Sequence, residues 1–146
     1  MPFVRFHSRF PEIAELETRT VRTLRDSAAL PAAEYAFVES FCDERGCDCR
    51  RVFFTVFSSR SHAMEAVIAY GWESREFYRK WLHYGSSSDI ASLRGPILSE
   101  LSPQSKNAPA ILDLFRTMLM PDKAYVERVK GHYRLFRSTV DNSQTP

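Results

Sequence analysis

Three apolar runs follow one another through the first half of the chain: residues 34–42 (EYAFVESFC), 51–57 (RVFFTVF) and 63–70 (AMEAVIAY). Each has strand length and is rich in β-branched and aromatic side chains. The links between them are short and polar, the first carrying Cys47 and Cys49 just after Cys42 and the second reading Ser58-Ser59-Arg60-Ser61. Parallel neighbours need a crossover of a dozen or more residues, so links this short predict an antiparallel meander.

The flanking segments extend this to an α+β fold. Phe10-Pro11-Glu12-Ile13 reads as a short helix start, with proline at the first helical position and glutamates near its positive end. Residues 17–24 (ETRTVRTL) then switch to strand-like alternation, and residues 26–33, with Pro31, form a loop. Helices dominate afterwards. Ser74 caps a helix over 75–84 with Phe77, Tyr78, Trp81 and Leu82 on one face, and residues 89–93 form a single turn before Gly95-Pro96. Pro109 opens a helix through 119 with Ile111, Leu114, Phe115 and Met118 as its stripe. Pro121 opens the last, in which Tyr125, Val129, Tyr133 and Phe136 repeat at helical spacing. The expected architecture is an antiparallel three- or four-stranded meander sheet followed by a helical C-terminal half, one domain over 1–140 with a frayed tail over 141–146.

Strand alternation assigns Ala36, Val38, Val52, Phe54, Val56, Ala66 and Ile68 to one face of the sheet, and Tyr35, Phe37, Phe41, Phe53 and Phe57 to the other. Neither face is polar, so both are expected to be covered, by helices on each side, by the N-terminal arm or by a second copy of the chain.

The three cysteines, Cys42, Cys47 and Cys49, all lie in one short stretch at the end of the first run and in the link after it, Phe41-Cys42-Asp43-Glu44-Arg45-Gly46-Cys47-Asp48-Cys49. Three thiolates this close, with Gly46 to permit a tight turn, can converge on one soft metal ion, and zinc is the expected cofactor. Plain buried thiols are the alternative, though Asp43, Glu44, Arg45 and Asp48 are poor company for a core run. An odd count and the strained Cys47–Cys49 spacing oppose disulfides. An iron–sulfur cluster would want a different last spacing and a distant fourth cysteine.

A closed zinc site needs a fourth ligand. His62 falls at the far end of the second strand, about 20 Å away at about 3.3 Å per residue. His83 is separated from the returning third strand by a helix of about 15 Å at about 1.5 Å per residue. His132, at the edge of the buried face of the last helix, is the candidate, with Asp43, Asp48 or water as alternatives. Arg50 and Arg51 follow Cys49 and would neutralise a thiolate-rich site, or else bind a phosphate or carboxylate. Residues 72–81 interleave aromatic and basic side chains, as single-stranded nucleic-acid grooves do, but helical phasing puts the aromatics together and the bases outside.

No P-loop, Gly-x-Gly-x-x-Gly, Gly-x-Ser-x-Gly, His-Glu-x-x-His or zinc-deaminase pattern occurs, so no catalytic residue is assigned. The formal net charge of +2 is too small to point to nucleic acid or an anionic membrane. No apolar run reaches membrane-span length and Met1-Pro2-Phe3-Val4-Arg5 opens no signal peptide, so a reducing cytoplasm is expected. The expected function is a small non-catalytic binding or interaction module held by zinc, its partner a protein or a second copy of itself. A nucleic-acid-binding protein and a metal-dependent enzyme are the alternatives. Phe41-Cys42-x4-Cys47-x-Cys49-Arg50-Arg51-Val52, Tyr70-Gly71-Trp72-Glu73 and His132-Tyr133-x-Leu135-Phe136 together resemble a group of small bacterial proteins of uncharacterised activity. The resemblance spans about residues 6–136 and implies a bacterial, cytoplasmic single domain, without a mechanism.

Overall fold

The three apolar runs do form consecutive antiparallel strands, at the centre of a wider sheet. The computed structural model describes residues 3–26 and 30–142. Part of the loop expected over 26–33 and most of the tail expected over 141–146 lie outside the described residues. The first elements are β1 (Phe3–Arg5), α1 (Phe6–Arg9), α2 (Pro11–Glu17) and β2 (Arg19–Arg22). The meander follows as β3 (Glu34–Cys42), β4 (Arg51–Ser58) and β5 (Met64–Gly71). Then come α3 (Arg75–Trp81), α4 (Ser87–Arg94), β6 (Ile97–Leu98), α5 (Ala108–Leu114) with a π-helical turn over Phe115–Leu119, and α6 (Lys123–Asp141).

The fold is α+β, with a six-stranded antiparallel sheet among the described residues in the order β1-β3-β4-β5-β6. The sheet exceeds the expected three or four strands because β1 and β6 are three and two residues long, too short to show a period. β2 pairs with the N-terminal half of β3 (Val21 opposite Tyr35) and β1 with its C-terminal end (Val4 opposite Phe41). The two short strands therefore share one edge of β3 end to end, with α1 and α2 carried between them.

The two faces differ from the expected grouping. Phe37 lies opposite Val56 and Glu39 opposite Phe54. Tyr35, Phe37 and Phe41 therefore share a face with Val52, Phe54 and Val56, not with Phe53 and Phe57. Alternation fixes which residues of one strand share a face, but only the length of the link fixes the phase between strands. The face so formed is the core. Phe37, Val52, Val56, Ala66, Ile68, Ile111 and Phe136 are fully buried there. The opposite face is not closed in the same way: Ala36, Val38, Phe53 and Phe57 are only half-buried.

Local chemistry explains the helix ends. Ser74 Oγ accepts from the Phe77 N–H at 3.1 Å, and Asp122, not Pro121, caps α6 by accepting from the Tyr125 N–H at 3.1 Å. α3 stops at Trp81 because His83 and Tyr84 adopt positive φ (51° and 64°), which leaves Trp81 exposed instead of in the expected apolar face. The expected single turn at 89–93 is a two-turn helix, started by the Ser86 hydroxyl accepting from Asp89 N–H. After α5, the Met120 N–H bonds to Phe115 C=O at 2.8 Å, five residues back. That extra residue rotates the stripe, so Leu119 is buried and the expected Met118 is exposed.

Gly71 closes the joint between β5 and α3. A Cβ there would meet the Tyr78 hydroxyl and lie 2.7 Å from Tyr78 Cζ and 3.0 Å from Leu93 O. Gly71→Ala should cost about 1–3 kcal/mol, the usual penalty for overpacking. The check is the shift of the urea midpoint. An unchanged midpoint would mean that Tyr78 is not lodged under β5.

Candidate metal centre

Cys42 is the last residue of β3 and Cys49 lies two before β4, so the ends of two paired strands bring these thiols together. Cys47 joins them through a turn in which its N–H bonds to Glu44 C=O at 3.2 Å and Gly46 takes φ +76°. The three sulfurs lie within 4.8 Å of one another, with Cys42 and Cys49 buried and Cys47 half-buried. The cluster could hold a metal ion. Backbone N–H groups already point at two of the sulfurs: that of Glu44 lies 3.4 Å from Cys42 Sγ, and that of Arg51 bonds Cys49. Such N–H···S contacts stabilise thiolate character and orient metal-binding sulfurs.

α6 holds the link in place. The buried Arg137 guanidinium donates to Cys42 C=O at 2.7 Å, Glu44 C=O at 2.9 Å and Asp141 at 2.7 Å. Asp141 also accepts from the Gly46 N–H at 3.3 Å. Further along, Arg50 adopts φ +50°, an uncommon conformation for a residue with a side chain. Two tyrosines fix it: Tyr133 Oη accepts from Arg50 N–H at 3.2 Å, and Tyr78 Oη donates to Arg50 C=O at 2.8 Å. The Tyr133 hydroxyl in turn donates to Asp48 at 2.9 Å. Sequence reasoning passed over Arg137 and Asp141. The signal was present, since 129, 133, 136, 137 and 140 all fall on the buried stripe of α6 and a charge there needs partners.

The adjacent arginines part ways. Arg51 is buried with Nε donating to Leu93 C=O at 2.9 Å, and it lies in the field of all three thiols. Arg50 turns outward, pairing with Asp48 at 2.9 Å, reaching Glu73 at 3.8 Å and lying 4.6 Å over the Phe77 ring. The aromatic–basic segment at 72–81 is used internally: Tyr78 is fully buried, and Arg79 and Lys80 pair with Glu76.

His132 stands apart from the thiols. Its Nδ1 bonds Glu39 at 2.7 Å and its Nε2 bonds Glu17 at 2.8 Å, while the ring stacks 4.4 Å from Phe6. Both nitrogens bond carboxylates, and the structure does not bring His132, the fourth ligand that the sequence suggested, into the sulfur cluster. Its spacing on α6 did place it on the buried face, but that face meets β3 at Glu39, on the wrong part of the strand for Cys42. Asp48 is taken by Arg50 and Tyr133, and Asp43 lies 3.7 Å from Arg9. His62 sits in the β4–β5 turn and His83 is exposed after α3.

Burial pushes the Cys49 thiol up to about 12, helped by the neighbouring charges of Cys47 and Cys42; burial raises Cys42 too, against the Glu44 N–H and Arg137. In metal-free protein, iodoacetamide should therefore modify Cys47 first and Cys49 last, read by peptide mass spectrometry. Equal rates at all three positions would contradict the placement.

A neutral imidazole donates only one N–H, so two carboxylate partners require the imidazolium. Burial opposes that charge, but the hydrogen bonds and charges of Glu39 and Glu17 outweigh it and raise the His132 pKa. The resulting stability is complete below the unfolded histidine value of about 6.5 and is lost as pH rises through the higher folded value. Thermal melts should show that loss in the wild type and not in His132→Ala. The variant itself, leaving Glu39 buried and unpaired, should cost about 3–5 kcal/mol. A flat profile above pH 6.5 in the wild type would contradict this arrangement.

No known family, curated protein or solved structure matches the chain. No helix among the described residues is long and apolar enough to cross a membrane.

Proposed function

We propose that the chain is a small non-catalytic binding module whose cysteine turn is held by a zinc ion. The observation that carries this reading is the convergence of Cys42, Cys47 and Cys49, the chain's whole complement of cysteine, within 4.8 Å. Three sulfurs and a tetrahedral preference suit zinc, and thiolate donors select soft or borderline ions over magnesium or calcium.

Arg51 supports the reading independently. Its side chain is buried and makes no ion pair with a carboxylate among the described residues. A buried guanidinium without a counter-charge is costly. The groups whose charge would bear on it are the three thiols and the Tyr78 hydroxyl, and the thiols carry charge when a metal has displaced their protons. A dication on three thiolates leaves one net negative charge, which is what Arg51 lacks elsewhere.

Zinc here would tie the end of β3 to the start of β4 and fasten both beneath α6. Structural zinc contributes about 10–16 kcal/mol in small peptides, and a fraction of that would matter to a domain of ordinary stability. Protein purified without added metal should carry about one zinc per chain by elemental analysis. Chelation or Cys47→Ser should lower the melting temperature, whereas His132→Ala should lower it with zinc content unchanged. Absence of metal with all three thiols freely titratable in the folded protein would end the proposal.

A further inference from the structure

Cys47 is the least buried of the three thiols. Cys42 and Cys49 are buried, but Cys47 borders a groove of about 420 Å³ running between the 46–48 segment and the last turns of α6. Among the described residues no other histidine, cysteine or carboxylate joins the three sulfurs, so a tetrahedral ion there has one position the chain leaves open. Open fourth positions are the mark of zinc sites that take a ligand from outside.

The groove's charges say what kind of ligand. Its two carboxylates are already engaged, Asp48 by Arg50 and Tyr133, and Asp141 by Arg137 and the Gly46 N–H. Arg134 lines the same groove, is exposed and has no ion pair among the described residues. Closer in, Arg51 and Arg137 both bear on the sulfurs. A fourth anionic donor adds negative charge beside Arg51, whose buried guanidinium has no carboxylate partner among the described residues, whereas a cationic ligand would meet Arg134 at the mouth.

Resting on the zinc reading above, we propose that the metal is a ligand-binding site: its open position takes a small anionic ligand of the thiol class, entering past Cys47 and Arg134. Binding is a ligand exchange. The metal–sulfur bond would form as a metal–water bond at that position breaks, the water and the thiol's proton passing to solvent, and no oxidant or reductant is involved.

Cobalt(II) substituted into the full chain reports the donor set through its visible and sulfur-to-metal charge-transfer bands. The test adds mercaptoacetate, an anionic thiol, and 2-aminoethanethiol, a cationic one, and follows those bands, with cobalt retention measured after gel filtration. A saturable increase in charge-transfer intensity is expected, with mercaptoacetate binding several-fold tighter than the amine. Arg134→Glu should erase or reverse that preference while still holding one cobalt per chain, which shows that the fold survives the change. If the spectrum is unchanged by either thiol, or the thiols strip the cobalt, the open position is refuted while the metal site stands. If the preference persists in Arg134→Glu, the role given to the groove is refuted. If cobalt and zinc both fail to bind, the zinc reading itself falls.

Discussion

Tyr133 and Phe136 bury one stripe of α6 against Phe41, with ring centroids 5.9 and 5.8 Å away, and the cysteine turn hangs from that contact. Burying each large apolar side chain contributes about 1.5–3 kcal/mol, whereas a net hydrogen bond adds about 1 kcal/mol. The packing therefore decides where α6 lies. The polar contacts then use that position: Tyr133 presents its hydroxyl to Arg50 and Asp48, and Arg137 reaches Cys42 and Glu44. If the stripe slid by a turn, both anchors would leave the link together, and the sulfurs would be held by backbone alone.

The three thiols bear on the buried Arg51, which has no carboxylate partner among the described residues. Protonated sulfur is a weak hydrogen-bond partner and offers Arg51 no charge. A thiolate cluster without a metal fails in the opposite direction, because burial and mutual repulsion drive the Cys49 thiol up to about 12. A divalent ion, as proposed above, would remove both difficulties at once. The His132–Glu17–Glu39 cluster is the contrasting case: both ring nitrogens find carboxylate partners within the chain, and the pairs fasten α2, β3 and α6 together.

The central strands were legible because nine- and eight-residue runs leave room for a pattern, and β1 and β6 were not because two or three residues cannot show one. The face assignment failed between β3 and β4, not within either, since the irregular 43–50 link sets their phase. Met118 and Leu119 exchanged places because a π-turn adds a residue that a fixed helical period cannot foresee. The cysteines were legible as a site because they are close in sequence and their chemistry is specific. His132 was not, because its spacing showed that it is buried without showing against what. Arg137 and Asp141 lie on the far side of the sequence, and only the docking of α6 brings them to the turn.

X-ray absorption at the zinc edge of the protein as purified tests the central claim most directly, because it reads the donor atoms themselves. The arrangement of Cys42, Cys47 and Cys49 predicts three sulfur neighbours at about 2.3 Å and a single lighter donor at about 2.0–2.2 Å. A shell of nitrogen and oxygen alone, or no zinc to observe, would contradict it.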